Sequence, residues 1–308
     1  MATTRNKYAD YATYLAVRLL VAGLQAFPLA WGEAFARALA RIAYAVDKRH
    51  RNVAIDNLRL AFGDRYSEPQ LKRLCLGVYE HFLRTIVEMA RIPRAINQAN
   101  WKKFVRLEGA PFAAPALLDE TRPKVIATGH FGNWEMAGVL TSQIGIRTYA
   151  IARTLDNPYL HRFVSDFREA RGQTLLSKND DYDKILEVLA NKGVLVSLAD
   201  QSAGPRGYFV DFFGRPASTH KALALLAMEY DAPVMLCYGY RIGRELRYAI
   251  GCEAIYDPRD YKDAADGALR MTQDMSRGLE ALVRRAPEQY LWLHNRWKHQ
   301  PAKKRGAA

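Results

Sequence analysis

Apolar and polar positions change rhythm once along this chain. Through residues 8–46 apolar side chains recur at helical spacing, with aromatic residues near the ends (Tyr8, Tyr11, Tyr14, Trp31, Tyr44) and basic residues on the other face. The pattern predicts two amphipathic helices, suited to lie in a membrane interface or to pack as a hairpin on the rest of the protein. A helix follows over residues 52–62 and a longer one over 68–92, with Ser67 placed as its N-cap. The first hundred residues therefore read as all-helical.

After Trp101 short β-rich runs take over, at 104–107, 125–128, 148–152, 194–198, 209–213, 234–240 and 248–252. Amphipathic stretches at about 133–144, 157–171, 181–191 and 219–230 alternate with them, and a last helix over 263–285 leads into an aromatic tail from Tyr290 to Lys298. Such alternation predicts an α/β fold with a mixed, partly parallel central sheet flanked by helices. Two regions follow, an N-terminal helical one over 1–100 that associates with a membrane and an α/β domain over 101–308, whose basic end, 303–308, reads as a loose terminus.

Composition narrows the class. With 49% hydrophobic and 25% charged residues, the 308-residue chain has ordinary globular content and material for a large core. Three cysteines, Cys75, Cys237 and Cys252, are too few and too scattered for a disulfide framework or a Cys-rich zinc site, and suit a reducing compartment. The net charge of +13 comes from 45 Lys+Arg, of which 31 are Arg, against 32 Asp+Glu. Arginine favours planar, bidentate recognition of phosphate or carboxylate, so the expected partner is anionic: a nucleic acid, a membrane surface or a phosphorylated substrate. No run reaches the ~18 apolar residues of a transmembrane helix. The nearest, residues 19–32, contains Gln25 and Pro28, and no cleavage-like site closes it, so the N-terminus is expected to be retained.

Chemistry concentrates where the runs end. The apolar run 125–128 stops at Thr128, a turn flanked by Gly129 and Gly132 carries His130, and Asn133 is placed to cap a helix that begins at Trp134 and Glu135. Five residues apart, His130 and Glu135 would be off one face of a regular helix, but the turn lets them meet. Glu135, held ionised at the helix N-terminus, would then orient the imidazole as a general base on a hydroxyl. The same residues also read as a capped helix beside a surface histidine. Arg153 and Asn157 follow the run 148–152, and Asp200 and Gln201 follow 194–198. Three polar clusters thus stand at predicted strand ends, where α/β folds bind ligands. No G-x-S-x-G motif offers a nucleophile, and His130 is not in an H-E-x-x-H arrangement, so neither a covalent intermediate on such a serine nor a metal is expected.

The stretch GHFGNWE from Gly129 to Glu135, Arg153 with Asn157, the run from Arg168 to Gly172, Asp200-Gln201 with Phe209 to Thr219, and the tail from Arg285 to Lys298 together resemble the lipid A biosynthesis lauroyl/myristoyl acyltransferases, in the lysophospholipid acyltransferase-like superfamily. The resemblance implies transfer of a fatty acyl group from an acyl carrier protein or coenzyme A thioester, as co-substrate rather than cofactor, to a hydroxyl of a phosphorylated glycolipid acceptor. It implies a His-x4-Glu pair, His130 as base with Glu135 orienting it, and substrate binding by Arg153, Asn157, Arg168, Asp200 and Gln201. It further implies work at an anionic membrane surface, the cytoplasmic face of a bacterial inner membrane, with no nucleic-acid partner. At His294-Asn295-Arg296 the chain departs from the two arginines that often follow this histidine in the family. Relatives with the same motifs acylate other lipids, including mannosylated phosphatidylinositol, so the acceptor stays open. A non-enzymatic protein that binds anionic lipid or nucleic acid, and a thioester hydrolase built on the same pair, are the competing readings.

Overall fold

Caps and breakers set the helices of the N-terminal region. In the computed structural model, which describes residues 6–301 apart from 171, 179, 244 and 245, the Asn6 side chain accepts the N–H groups of Tyr8 and Ala9 and opens α1 (Lys7–Ala26). Pro28, whose fixed φ suits a helix start, separates it from α2 (Leu29–Val46). Asp47 caps α3 (Lys48–Phe62), and Gln70 Oε1 accepts the N–H and hydroxyl of Ser67 at the head of α4 (Glu68–Ala95). The helix expected from residue 52 begins earlier because Asp47 supplies that cap.

Strands and helices then alternate: β1 (Val105–Glu108), α5 (Ala110–Leu118), β2 (Lys124–Thr128), α6 (Trp134–Gln143), β3 (Thr148–Ala152), α7 (Pro158–Glu169), β4 (Gln173–Ser177), α8 (Tyr182–Ala190), β5 (Val194–Leu198), β6 (Tyr208–Phe212), β7 (Arg215–Thr219), α9 (Ala222–Glu229), β8 (Val234–Arg241), β9 (Tyr248–Tyr256) and α10 (Gly267–Arg285). Seven strands form one sheet in the order β1-β9-β8-β2-β5-β3-β4, all neighbours parallel except β8 with β9. The α/β class and the mostly parallel sheet are as expected. The small edge strand β4, the hairpin strand β7 and the proline-bearing α5 carry no clear pattern in the sequence. Phe213, expected inside a strand, instead leaves β6 with φ +56 and forms a two-residue hairpin turn with Gly214, φ +71.

The sheet has two different faces. Val125, Ala127, Leu195, Val234 and Leu236 point into the main core with α10, α3 and α4, whereas Ile126, Thr128, Val196, Met235 and Cys237, each one residue on, line a cavity. Because that core joins Leu58, Phe62, Leu71 and Val78 of the helical region to the sheet, the regions 1–100 and 101–308 share one interior.

The α1–α2 hairpin packs its small side chains inward. Gly32, Ala36 and Ala40 are the buried residues of α2, and a Cβ on Gly32 would come 2.9 Å from Val87 Cγ1 on α4. Large apolar residues point outward at helical spacing: Tyr8, Tyr11, Leu15 and Leu19 on α1, and Trp31, Phe35, Leu39, Ile42 and Val46 on α2. No described helix is long and apolar enough to cross a membrane. The basic terminus 303–308 lies outside the described residues.

Candidate active site

Thr128 pairs with Leu198 across the parallel strands β2 and β5. Two residues beyond each, His130 and Asp200 meet: one carboxylate oxygen, Oδ2, accepts the His130 backbone N–H at 2.7 Å, and the other, Oδ1, accepts the Nδ1 proton at 2.8 Å. Nδ1 is thereby committed, and Nε2 is left for the cavity that His130 lines. Glycine at 129 makes the approach possible, since a Cβ there would stand 2.8 Å from Leu279 Cδ1 and 3.3 Å from Asp200 Oδ2. Trp134 sets its ring edge-on to the imidazole at 5.1 Å.

The turn is held from behind by groups that the sequence did not single out. His81 on α4 donates from Nε2 to the Gly132 carbonyl at 3.1 Å and accepts from Arg241 at Nδ1 at 3.0 Å. Arg241 forks onto Glu88 at 2.6 and 2.7 Å, and Glu88 also accepts from Asn133 Nδ2 at 3.0 Å. Burial above all, with Arg241 adding to it, pushes the His81 pKa down to about 3, so this imidazole stays neutral and keeps that tautomer. Asn133 also caps α6 by accepting the Met136 N–H at 3.1 Å. In front, the tail runs beside the turn: Gly132 N–H donates to the Gln289 carbonyl at 2.8 Å and Leu291 N–H to the His130 carbonyl at 3.0 Å. Gly132, at φ +63, lies so close to Gly239 that no side chain fits. A lone acidic residue in an otherwise apolar stretch of helix, Glu88 within Val87 to Ala90, is the trace this network leaves in the sequence.

The electrostatics follow. Burial works against a charged His130, yet the Asp200 charge and hydrogen bond outweigh it and hold the pKa above the ordinary histidine value. Asp200 is likewise opposed by burial, but the His130 charge and hydrogen bonds, with Arg296 beyond, keep its pKa below the usual carboxylate range. Arg296 itself is buried and donates to the Ser218 carbonyl and the Thr219 hydroxyl.

Glu135 does not orient the histidine. It lies at the N-terminal turn of α6 and is gripped by Arg168 from the last turn of α7, through Nε at 3.2 Å and a second, shorter bond from Nη2. Each charge sits at the helix end whose dipole favours it, and the His130 nitrogen expected for Glu135 is taken by Asp200, which strand register puts closer. Asn157 also departs from its expected substrate contact: its side chain caps α7 at Tyr159 and Leu160, donates to the Asp10 carbonyl of α1 at 2.8 Å, and does not line the cavity. Arg153 and Gln201 do line it, Arg153 highly exposed with a loose contact to Asp156 at 3.4 Å. His130, Asp200 and Arg153 thus follow the ends of three adjacent strands, β2, β5 and β3.

The cavity has a volume of about 1330 Å³. That exceeds the ~300–1,000 Å³ usual for a small-molecule site, enough for more than one long ligand. Its walls are mostly apolar, from the second sheet face and from Leu117 of α5, Ala137 of α6 and Leu226 of α9, with His130, Glu135, Arg153 and Arg168 as polar points. Among the described residues no group of three or more His, Cys, Asp or Glu could hold a metal ion. A hydroxyl set against Nε2 could lose its proton to the imidazole, with an apolar tail accommodated beside it.

A family model described as bacterial lipid A biosynthesis acyltransferase matches residues 2–299. Lipid A biosynthesis acyltransferase 2 of Shigella flexneri is 21% identical over 280 residues, 89% of this chain and 86% of that one. The lipid A biosynthesis lauroyltransferase of Escherichia coli (strain K12) is 24% identical over 274 residues, covering 85% and 84%. The phosphatidylinositol mannoside acyltransferase of Mycobacterium tuberculosis (strain CDC 1551 / Oshkosh) is 28% identical over 162 residues, 51% of each chain. The chain thus spans about half the length of that mycobacterial relative.

Proposed function

Because the chain belongs to the bacterial lipid A biosynthesis acyltransferase family, we propose that it moves a fatty acyl group from an acyl carrier protein or coenzyme A thioester to a hydroxyl of a lipid A precursor. The observation that carries the reading is the His130–Asp200 pair at one side of a large apolar cavity. In this reading His130 Nε2 takes the proton of the acceptor hydroxyl. The oxygen attacks the thioester carbonyl, and the tetrahedral intermediate collapses with loss of the thiolate, which takes the proton back from the imidazolium. Asp200 holds the tautomer and stabilises the imidazolium. No cofactor enters, since the thioester supplies the activated acyl group. Arg168, fixed by Glu135, and the exposed Arg153 supply positive charge for substrate phosphates.

The outward apolar rows of α1 and α2 support work at a membrane surface, because a helix that buries Gly and Ala while exposing Leu, Phe and Trp reverses the usual soluble pattern. The cytoplasmic face of a bacterial inner membrane, where acyl thioesters are at hand, is the place this reading assigns. A second acceptor, a phosphatidylinositol mannoside, is favoured by the mycobacterial relative. The test is product mass spectrometry: protein in anionic vesicles receives thioesters of several chain lengths with a tetraacylated phosphorylated disaccharide, a phosphatidylinositol mannoside or a lysophospholipid. A His130-dependent acyl increment on the disaccharide supports the lipid A reading, an increment confined to another lipid replaces the acceptor, and none on any lipid removes the transferase.

A further inference from the structure

Cys237 on β8 and Cys252 on β9 stand directly opposite each other. Both are free thiols, and both line the cavity, so their side chains share the sheet face that carries Met235 and Ile250. Opposed residues of antiparallel strands lie about 4.5–5.5 Å apart at Cα, inside the ~4.4–6.8 Å that a disulfide spans. The register shifts beside them, leaving Glu253 without a partner on β8, and such a bulge lets the backbone give as two side chains draw together. The third thiol, Cys75, is buried on α4 away from both.

We propose that Cys237 and Cys252 form a dithiol site in the cavity wall, which peroxide converts to a disulfide that reshapes the substrate site. In the first step the Cys252 sulfur attacks one peroxide oxygen; an S–O bond forms, the O–O bond breaks, and the leaving hydroxide takes the thiol proton as water. The Cys237 sulfur then displaces hydroxide from that sulfenic acid, forming the S–S bond and a second water. Two thiols and one peroxide become one disulfide and two waters, the two electrons passing from sulfur to oxygen. Facing each other across the strands, the two thiols push their pKa values apart, that of Cys252 down and that of Cys237 up, consistent with Cys252 as first attacker.

The site is close to the chemistry. Leu236 pairs with Ala127, so Cys237 is level with Thr128, one strand spacing of about 5 Å from β2. Two residues further along β8, the Gly239 carbonyl accepts the Asn133 N–H at 2.6 Å, in the turn that carries His130. A covalent tie between β8 and β9 therefore acts on the strand that supports this turn. That consequence for turnover rests on the acyltransferase reading; the dithiol itself does not.

The experiment treats the purified full-length protein with hydrogen peroxide, without acyl substrate, and reads intact mass and a non-reducing peptide digest, followed by acyl transfer before and after dithiothreitol. The expected result is loss of two hydrogens, one cross-link between the peptides of Cys237 and Cys252, and a loss of more than half the transfer activity that dithiothreitol restores. Cys252→Ser, compared with its own untreated rate, should resist peroxide, whereas Cys237→Ser should gain one oxygen at Cys252 and form no cross-link. An unchanged mass of the parent, a cross-link to Cys75, or a peroxide-driven loss of activity in Cys252→Ser equal to the parent's overturns the proposal. A protein that forms the cross-link yet transfers no acyl group even when reduced removes the acyltransferase reading and leaves the dithiol in place.

Discussion

Asp200 grips His130 at two points, the backbone N–H through Oδ2 at 2.7 Å and the ring Nδ1 through Oδ1 at 2.8 Å. The imidazole is thus fixed in place, rotation and tautomer, by one carboxylate from the next strand. Removing that carboxylate should do two separable things. Asp200→Asn is expected to lower the transfer rate by roughly 10²–10⁴-fold, as His130→Ala should. It should also move the pH profile. The reacting His130 is neutral, so activity is lost as pH falls through its raised pKa; without Asp200 only burial remains, which lowers the pKa, and the acid limb should shift to lower pH. Rates of Asp200→Asn measured from pH 5 to 9 with the limb unmoved would show that this pair does not set the base.

Glu135 and Arg168 should behave as one unit. Either Glu135→Gln or Arg168→Ala breaks the same ion pair, so the losses in kcat/KM should be far from additive in the double variant. Steady-state kinetics of the three variants measure the coupling, and strict additivity would mean that the two residues act independently.

Asn157→Ala should change stability and little else. Losing an N-cap costs about 0.5–2 kcal/mol, and the tie to the Asp10 carbonyl of α1 goes with it. Denaturant unfolding should show the loss, while the rate per folded molecule stays within about twofold of the parent; a selective rise in KM would restore Asn157 to the substrate site.

Glu88→Ala leaves the Arg241 guanidinium buried without its carboxylate. A broken buried pair costs about 3–5 kcal/mol, whereas replacing both partners with apolar residues costs less, so Glu88→Leu/Arg241→Met should be more stable than Glu88→Ala. Thermal unfolding compares them. The double variant should nevertheless remain slow in catalysis, because His81 and Asn133 lose the partners that set the turn.

Binding to phosphatidylglycerol vesicles should depend on the outward rows of the N-terminal hairpin. Leu19→Glu and Trp31→Glu each remove a side chain worth about 1.5–3 kcal/mol on burial, tenfold or more in affinity, without touching the core. Co-sedimentation equal to that of the parent would direct membrane contact to another surface.

Local rules determined much of what is seen. Short β-rich runs marked β2, β3, β5, β8 and β9, and the cap residues Ser67 and Asn133 marked where helices begin. Resemblance marked His130, Arg168 and Asp200 as site residues. Strand order was decided elsewhere. Nothing near Val125 or Val194 states that β2 lies beside β5 rather than beside β3, since β-rich runs of like character pair equally well in isolation; the choice belongs to the helices that connect and cover them. Yet that adjacency, with Thr128 opposite Leu198, brings a carboxylate 70 residues away to His130 and leaves Glu135, five residues away, to Arg168. The same holds for the cavity. Alternation determines that Val125 and Ile126 face opposite ways, but only the packed molecule decides that one side is filled by helices α3, α4 and α10 while the other is left open.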